Sequence, residues 1–490
     1  MSLRNARVEA AAAAALFTGA VTALAFPDPS WAHAGLIGRR DLPIPDLLFA
    51  GAAAVILIIS FVALSMGRKE PKLEQDRWQP LTSSFGQAIV GPAANLIAAL
   101  VGVFLLVLVV WTGFEGTSAP DRNFTPPFVL STFWLGMVGL SVVFGDVFRA
   151  FSPWRAIARA FAGVVAAVAG RRPAAPFSYP ERLGRWPAAV GLVAFLWFEL
   201  VYEGQSGNAA TGALPETIAT ATLVYTAITL AGMGLFGIDK WHRRGEIFGA
   251  YYEMFASLSP FEIREGKLGR RPWLSGSTRW GVVPGSLALV VILIGGTSFD
   301  GAQEGALADP IGWLNDGWVD LGFEKPLFEL TGTIFLGLTI ALIALIFSTA
   351  IRGIASTSAD HSSRELGAKF AHAFIPIGLA YLVAHYFSQF FYLIQAQFTY
   401  LLSDPFGDGS NILGTADAGP DYTFPGAAAI WSVMVVALAV GHVAALVIGH
   451  DRALKLFSDP RVASRSQYWM LALMVLFTIL GVFLLSQSNE

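Results

Sequence analysis

Long runs of apolar residues recur along almost the whole chain, with polar loops between them. A helix needs roughly 20 apolar residues to cross the hydrocarbon core of a membrane. The runs therefore predict an all-α fold, a polytopic helical membrane protein with about ten transmembrane helices. The predicted spans are residues 46–66, 89–114, 127–147, 187–203, 215–237, 280–298, 327–350, 370–398, 426–449 and 467–487.

Lysines and arginines are distributed very unevenly over the loops that join these spans. One set of alternate loops holds 26 of them, whereas the opposite set holds four. Because cytoplasmic loops carry an excess of lysine and arginine, we expect the first set to face the cytoplasm. The distribution predicts a multi-pass protein of the cell (cytoplasmic) membrane, with an even number of spans and both mature termini outside.

The N-terminus has the organisation of a secretory signal, since two arginines and an apolar stretch precede small-x-small cleavage sites. We interpret residues 1–32 as a signal peptide, or as an uncleaved signal-anchor, and residues 33–490 as a single helical transmembrane domain. Cleavage after Ala32 would make His33 the first residue of the mature chain.

Two of the predicted cytoplasmic loops contain amphipathic stretches. Apolar residues from Phe151 to Val165 recur at helical spacing, and aromatic residues from Trp241 to Phe255 do the same. In both stretches arginines lie on another face of the helix. This pattern predicts two interfacial amphipathic helices on the inner leaflet.

Composition narrows the possible functions. Hydrophobic residues make up 54% of the chain and charged residues 14%, against about 25% charged in soluble domains. The formal net charge of -3 argues against a nucleic-acid partner and leaves membrane lipid as the expected one. Cysteine is absent, which excludes thiolate nucleophiles, cysteine-ligated iron–sulfur clusters, covalent c-type haem and disulfides.

Ionisable residues inside apolar spans are costly, so each is a candidate for function. His385 belongs to a polar stripe that must face the bundle interior or a water-filled cavity. Glu199 lies within an apolar run, and Asp300 begins an acidic segment on the predicted outer side. We interpret these three as candidate catalytic residues, because carboxylates and histidines can hold a divalent metal that activates water. A buried hydrogen-bonding role is the alternative for His385.

Other histidines suggest two further cofactors. His33 at a mature N-terminus could chelate copper through its amine and ring, with His385 as a second ligand. His372 and His450 lie at matching depths near the predicted cytoplasmic surface and could hold one haem b. The simpler interpretations are interfacial histidines at helix ends, and a His33 that merely follows a cleavage site.

Several segments together resemble a known family. They are residues 33–45 (HAGLIGRRDLPIP), 143–155 (VFGDVFRAFSPWR), 298–301 (SFDG), 374–387 (FIPIGLAYLVAHYF), 413–417 (LGTAD) and 441–454 (GHVAALVIGHDRAL). They are similar to the polytopic membrane proteins, common in actinobacteria, that are called fenitrothion hydrolases. The resemblance runs across nearly the whole mature chain and implies hydrolysis of an organophosphate triester, a small apolar substrate.

Three functions are therefore open at the level of sequence. The first is a membrane hydrolase with a metal site near the outer leaflet. The second is a secondary transporter or channel, in which the polar stripe and helix breaks such as Pro376 and Gly378 line a pathway. The third is a membrane redox component that binds haem b or copper.

Overall fold

The computed structural model describes residues 46–487, except for positions 172, 203–213, 281–282, 304, 358–359 and 458. The predicted signal segment and His33 lie outside the described residues. The described residues form two compact units. Unit 1 comprises the described residues of Met1–Glu74, Leu293–Tyr392 and Asp421–Glu490, and unit 2 comprises those of Gln75–Ile292 and Leu393–Pro420. The prediction of one undivided transmembrane domain stays a prediction.

Helices account for most of the described chain. They are α1 (Asp46–Gly67), α2 (Ser84–Ala88), α3 (Pro92–Glu115), α4 (Thr125–Phe144, π-helical over Phe128–Gly136), α5 (Phe148–Phe151), α6 (Pro153–Ala169), α7 (Trp186–Leu200), α8 (Pro215–Phe236), α9 (Ile238–Arg244), α10 (Ile247–Ala256), α11 (Ser286–Gln303), α12 (Ala308–Asp320), α13 (Phe328–Ala355), α14 (Ser363–Phe370), α15 (Ile375–Phe398), α16 (Tyr400–Ser403), α17 (Ala427–Leu456) and α18 (Pro460–Gln487). Short 3₁₀ turns occupy Ser277–Arg279 and Ala371–Phe374. The predicted all-α class is confirmed.

Eight helical segments in the described part of the chain are long and apolar enough to cross a membrane. They correspond to α3, α4, α8, α11, α13, the run from α14 to α16, α17 and most of α18. Two further apolar stretches, Ala54–Gly67 in α1 and Trp186–Leu200, are helical but shorter. Together they overlap all ten predicted spans, and the protein is a multi-pass membrane protein.

Unit 2 is organised around the aromatic face of α10. Tyr251, Tyr252 and Phe255 are fully buried, and the ring of Tyr252 meets that of Phe148 edge to face at 4.9 Å. The second amphipathic stretch is therefore helical, as expected, but its aromatic residues face protein instead of lipid. Helical spacing of aromatic residues identifies a buried face without identifying what covers it.

A small antiparallel sheet also belongs to unit 2. Strand β3 (Lys267–Arg270) lies between β1 (Gln79–Pro80) and β2 (Phe261–Arg264). Beside it, Arg264 forms an ion pair with Asp76 at 2.7 Å. Strands β2 and β3 form a hairpin, whereas β1 comes from a loop much earlier in the chain. The sequence pattern did not predict these strands.

Small residues allow the helices of unit 1 to approach closely. A Cβ atom at Gly441 of α17 would lie 2.4 Å from the Cβ atom of Ala380 and 2.6 Å from the carbonyl oxygen of Pro376, both in α15. Such close approach increases van der Waals contact between helices surrounded by lipid. The hydroxyl of Tyr381 donates to the carbonyl oxygen of Phe477 at 2.6 Å and ties α15 to α18.

Candidate functional site

The two candidate residues that the structure brings together are Asp300 of α11 and His385 of α15. The Nε2 atom of His385 lies 2.7 Å from Oδ2 of Asp300. The spans that carry them are the most enclosed of the candidate spans, since 78% of the most apolar stretch of each is buried. Protein therefore surrounds most of this ionisable pair, as expected for charged groups at membrane depth.

Side chains satisfy both oxygens of the Asp300 carboxylate. The hydroxyl of Tyr386 donates to Oδ2 at 2.5 Å, and the Nε2 amide of Gln303 donates to Oδ1 at 2.8 Å. An ionised carboxylate only accepts hydrogen bonds, so the Nε2 atom of His385 carries the proton in this arrangement. The other ring nitrogen of neutral His385 is then basic and can receive a proton.

Local helix geometry explains how these four side chains converge. Gln303 lies three residues after Asp300 on α11, so the two share one face of that helix. Tyr386 follows His385 directly, and both side chains reach the same oxygen, Oδ2. Gly378, two turns of α15 before His385, leaves room for Leu293 of α11, since a Cβ atom at Gly378 would lie 2.6 Å from the Leu293 side chain.

A small cavity borders the imidazole of His385. Its volume of about 20 Å³ is enough for one water molecule. Besides His385, its lining consists of Thr297, Gly301, Tyr381, Ala384, Leu438 and Gly481. A water at this position would lie beside a ring whose orientation Asp300 fixes, which is the arrangement required for general-base activation of water.

Glu199, the third candidate, has a different environment. It lies in α7 of unit 2 and is half-buried there. Burial, and to a lesser extent the charge of Glu199, raises the pKa of Tyr251 above its ordinary value. Tyr251 in turn accepts a hydrogen bond from Trp134 at 3.2 Å. Glu199 thus belongs to the surroundings of the aromatic core of unit 2, whereas the Asp300–His385 pair belongs to unit 1.

The proposed haem ligands have partners within unit 1. His450 donates from Nε2 to the carbonyl oxygen of Arg68 at 3.1 Å. His372, in the 3₁₀ turn before α15, accepts at Nε2 from the guanidinium of Arg452 at 3.4 Å. Binding of haem iron through Nε2 would require the loss of both contacts. The haem site therefore stays a prediction that the observed hydrogen bonds do not favour.

The donor set for a divalent metal is incomplete among the residues that the structure describes. Within this part of the chain, no group of three or more histidines and carboxylates lies close enough to hold a metal ion. Asp300 and His385 supply two donors, whereas a zinc or copper site needs three or four. The metal or copper site proposed for His33 and His385 stays a prediction, because His33 lies outside the described residues.

Gln303 and Tyr386 are the functional candidates that the sequence did not single out. Tyr386 follows His385 and Gln303 lies one turn from Asp300, but neither spacing identifies a partner by itself.

Comparison of the chain with protein-family models, with curated proteins and with solved structures finds no match. Function has to be argued from the chemistry of specific residues, because a fold by itself does not imply one.

Proposed function

We propose that the protein is a membrane-embedded hydrolase of small apolar esters, including phosphotriesters, in which His385 is the general base. The main support is the Asp300–His385 pair, which lies within enclosed spans and borders a cavity of water size. The resemblance of several segments to fenitrothion hydrolases points to the same reaction. The distribution of lysine and arginine favours a site on the outer side of the cell membrane, with both termini outside.

The reaction follows from the roles of the residues at the site. His385 takes a proton from water in the adjoining cavity, and the oxygen of that water forms a bond to phosphorus. The bond from phosphorus to the leaving group breaks, and the leaving group departs with the electron pair. Asp300 holds the ring in one tautomer and stabilises the imidazolium that forms. Tyr386 and Gln303 position the Asp300 carboxylate and do not touch the reacting atoms.

Substrate would enter from the lipid. An apolar ester partitions into the bilayer, and the site lies on helices of the membrane domain, so diffusion within the bilayer can deliver it. The cavity of about 20 Å³ has room for a water molecule but not for an ester. Substrate binding therefore requires α15 to separate locally from α17 or α18, the helices that contribute Leu438 and Gly481 to the cavity wall.

The direct test is turnover of a p-nitrophenyl phosphotriester by the full-length protein in liposomes. We expect hydrolysis, and a loss of about 10²–10⁴-fold in kcat for His385→Ala, the usual contribution of a general base. His361→Ala is the matched control, since His361 pairs with Glu365 away from the site. Absence of hydrolysis by the wild-type protein, or equal rates in wild type and His385→Ala, would contradict the proposal.

One observation favours a second function, proton-coupled transport. The run from α14 to α16 is interrupted at Ala371–Phe374 by a 3₁₀ turn just before Pro376. Broken helices and buried ionisable pairs also occur in secondary transporters. Uptake of a solute driven by a proton gradient, abolished by His385→Ala without any ester turnover, would establish this alternative in place of hydrolysis.

A further inference from the structure

Unit 2 contains a cluster of arginines with too little negative charge to balance it. Arg149, Arg155 and Arg159 all approach a single carboxylate oxygen, Oδ1 of Asp239, at 3.8, 2.5 and 3.4 Å. One aspartate cannot neutralise three guanidinium groups, so two positive charges remain. We define Arg149, Arg155, Arg159 and Asp239 as the arginine cluster.

Burial makes the excess charge costly. Arg155 is only 3% exposed. Its Nε atom is buried and finds no hydrogen-bond acceptor among the described residues. Burial, and after it the charges of Arg159 and Arg149, lower the pKa of Arg155 below its ordinary value, despite the opposing effect of Asp239. A second anion at this position would relieve the repulsion that Asp239 leaves.

The arginine cluster remains open to an incoming anion. The side chains of Arg149 and Arg159 are 36% and 54% exposed, and that of Asp239 is 56% exposed. Arginine presents a planar set of N–H donors that matches phosphate oxygens. The chemistry of the cluster therefore suits a phosphate group better than a neutral ligand.

The position of the cluster identifies lipid as the source of that phosphate. Arg149 follows the end of span α4 by five residues, and Asp239 follows the end of span α8 by three. Exposed apolar side chains mark this end of unit 2. They include Phe144 and Leu235 at the span ends, and Phe161, Val164 and Val168 on α6. In a membrane protein such residues contact acyl chains, and basic residues at the ends of spans meet lipid headgroups.

We propose that the arginine cluster binds the phosphate of an anionic phospholipid whose acyl chains contact the exposed apolar residues around it. The lipid headgroup supplies the negative charge that Asp239 alone does not. This role does not depend on the Asp300–His385 site in unit 1. An experiment can therefore contradict lipid binding without contradicting the proposed hydrolase activity, and the reverse also holds.

Thermal unfolding of the whole protein in a neutral detergent tests the proposal. Titration with phosphatidylglycerol should raise Tm more than titration with phosphatidylcholine. The double variant Arg149→Gln/Arg159→Gln should bind phosphatidylglycerol about 25-fold more weakly, from about fivefold for each arginine near a membrane surface. Arg182→Gln is the control, because Arg182 is exposed and lies outside the cluster. An unchanged affinity in the double variant, or equal stabilisation by the two lipids, overturns the proposal.

Two further measurements keep the test decisive. Glycerophosphoglycerol carries the same phosphodiester without acyl chains, and equal stabilisation by it would assign the cluster to a soluble anion and overturn the lipid proposal. If the double variant does not fold, salt dependence of the wild type replaces it. Raising NaCl from about 0.1 M to about 1 M should weaken binding of phosphatidylglycerol, since the Debye length shortens from about 10 Å to about 3 Å. Insensitivity to salt contradicts a charge-based site.

Discussion

The His242–Glu246 pair of unit 2 and the Asp300–His385 pair of unit 1 combine the same two kinds of side chain in different surroundings. In unit 2, Nδ1 of His242 lies 3.0 Å from Oε2 of Glu246, with side chains 2% and 0% exposed. In unit 1, the side chains of His385 and Asp300 are 23% and 15% exposed. The first pair is buried, whereas the side chains of the second pair are partly exposed.

The hydrogen-bond partners of the two carboxylates show what each pair does. Glu246 caps the start of α10, because its oxygens accept from the backbone N–H groups of Phe248 and Gly249 at 2.9 and 2.6 Å. The hydroxyl of Tyr225 also donates to it. Asp300 accepts from three side chains instead, and its histidine borders a cavity. A carboxylate that accepts hydrogen bonds from backbone N–H groups stabilises the start of a helix. A carboxylate that orients a histidine beside a cavity can instead take part in proton transfer.

The largest expected effect comes from Asp300→Asn. An amide accepts through one oxygen only and carries no charge, so it neither fixes the His385 tautomer nor stabilises the imidazolium. We expect kcat for phosphotriester hydrolysis to fall about 10³–10⁴-fold, as in other carboxylate–histidine pairs. The Tm in detergent should fall only by the effect of one or two lost hydrogen bonds, because the amide keeps the shape of the carboxylate and one acceptor oxygen. Asp316→Asn, on the exposed face of α12, should retain full activity. A variant that keeps full activity would assign the pair a structural role.

The reverse result is expected for Glu246→Ala. Removal of the cap leaves two backbone N–H groups and the Tyr225 hydroxyl without their acceptor in a buried region. We expect a loss of about 2–4 kcal/mol in the free energy of unfolding, from a lost cap and unsatisfied donors. Activity per folded molecule should be unchanged. Denaturant unfolding monitored by tryptophan fluorescence measures this, with exposed Asp121→Ala as the control. If activity falls while stability does not, the proposed distinction between the pairs is wrong.

Most of the difference between the two pairs could not be predicted from the sequence. His385 could be predicted singly, because an ionisable group in an apolar run is conspicuous, and Asp300 could be predicted only as the first residue of an acidic outer segment. Their pairing joins residues 85 positions apart and depends on how α11 packs against α15. The burial of Tyr251 and Tyr252 could not be predicted either, since aromatic residues at the same helical spacing are also expected on a helix that faces lipid. The spans themselves were predictable because length and hydropathy are local properties.

A smaller effect is expected at the contact between α15 and α17. In Gly441→Val the new side chain would collide with Ala380 and with the carbonyl oxygen of Pro376. Overpacking of this kind costs about 1–3 kcal/mol, and a shift of α15 would also move His385 relative to Asp300. Stability and kcat should therefore fall together. The control is Gly337→Ala on α13, where nothing lies within 4 Å of the added atom. Normal stability and activity in Gly441→Val would show that this contact does not position the site.

The smallest effect concerns a third carboxylate, Asp76, which is exposed and unrelated to either pair. The hydrogen bond from Arg264 lowers the pKa of Asp76 to about 2, from about 4 in the unfolded chain. A group whose pKa is lowered by folding stabilises the fold above its unfolded pKa and loses that contribution as pH falls toward the folded value. Asp76→Asn should thus cost less than about 1 kcal/mol at pH 7, the usual range for exposed ion pairs. Denaturant unfolding of wild type and variant should give this difference unchanged from pH 7 to pH 5, and it should disappear between pH 4 and pH 2. A difference that persists at pH 2 would mean that the carboxylate acts through packing and not through its charge.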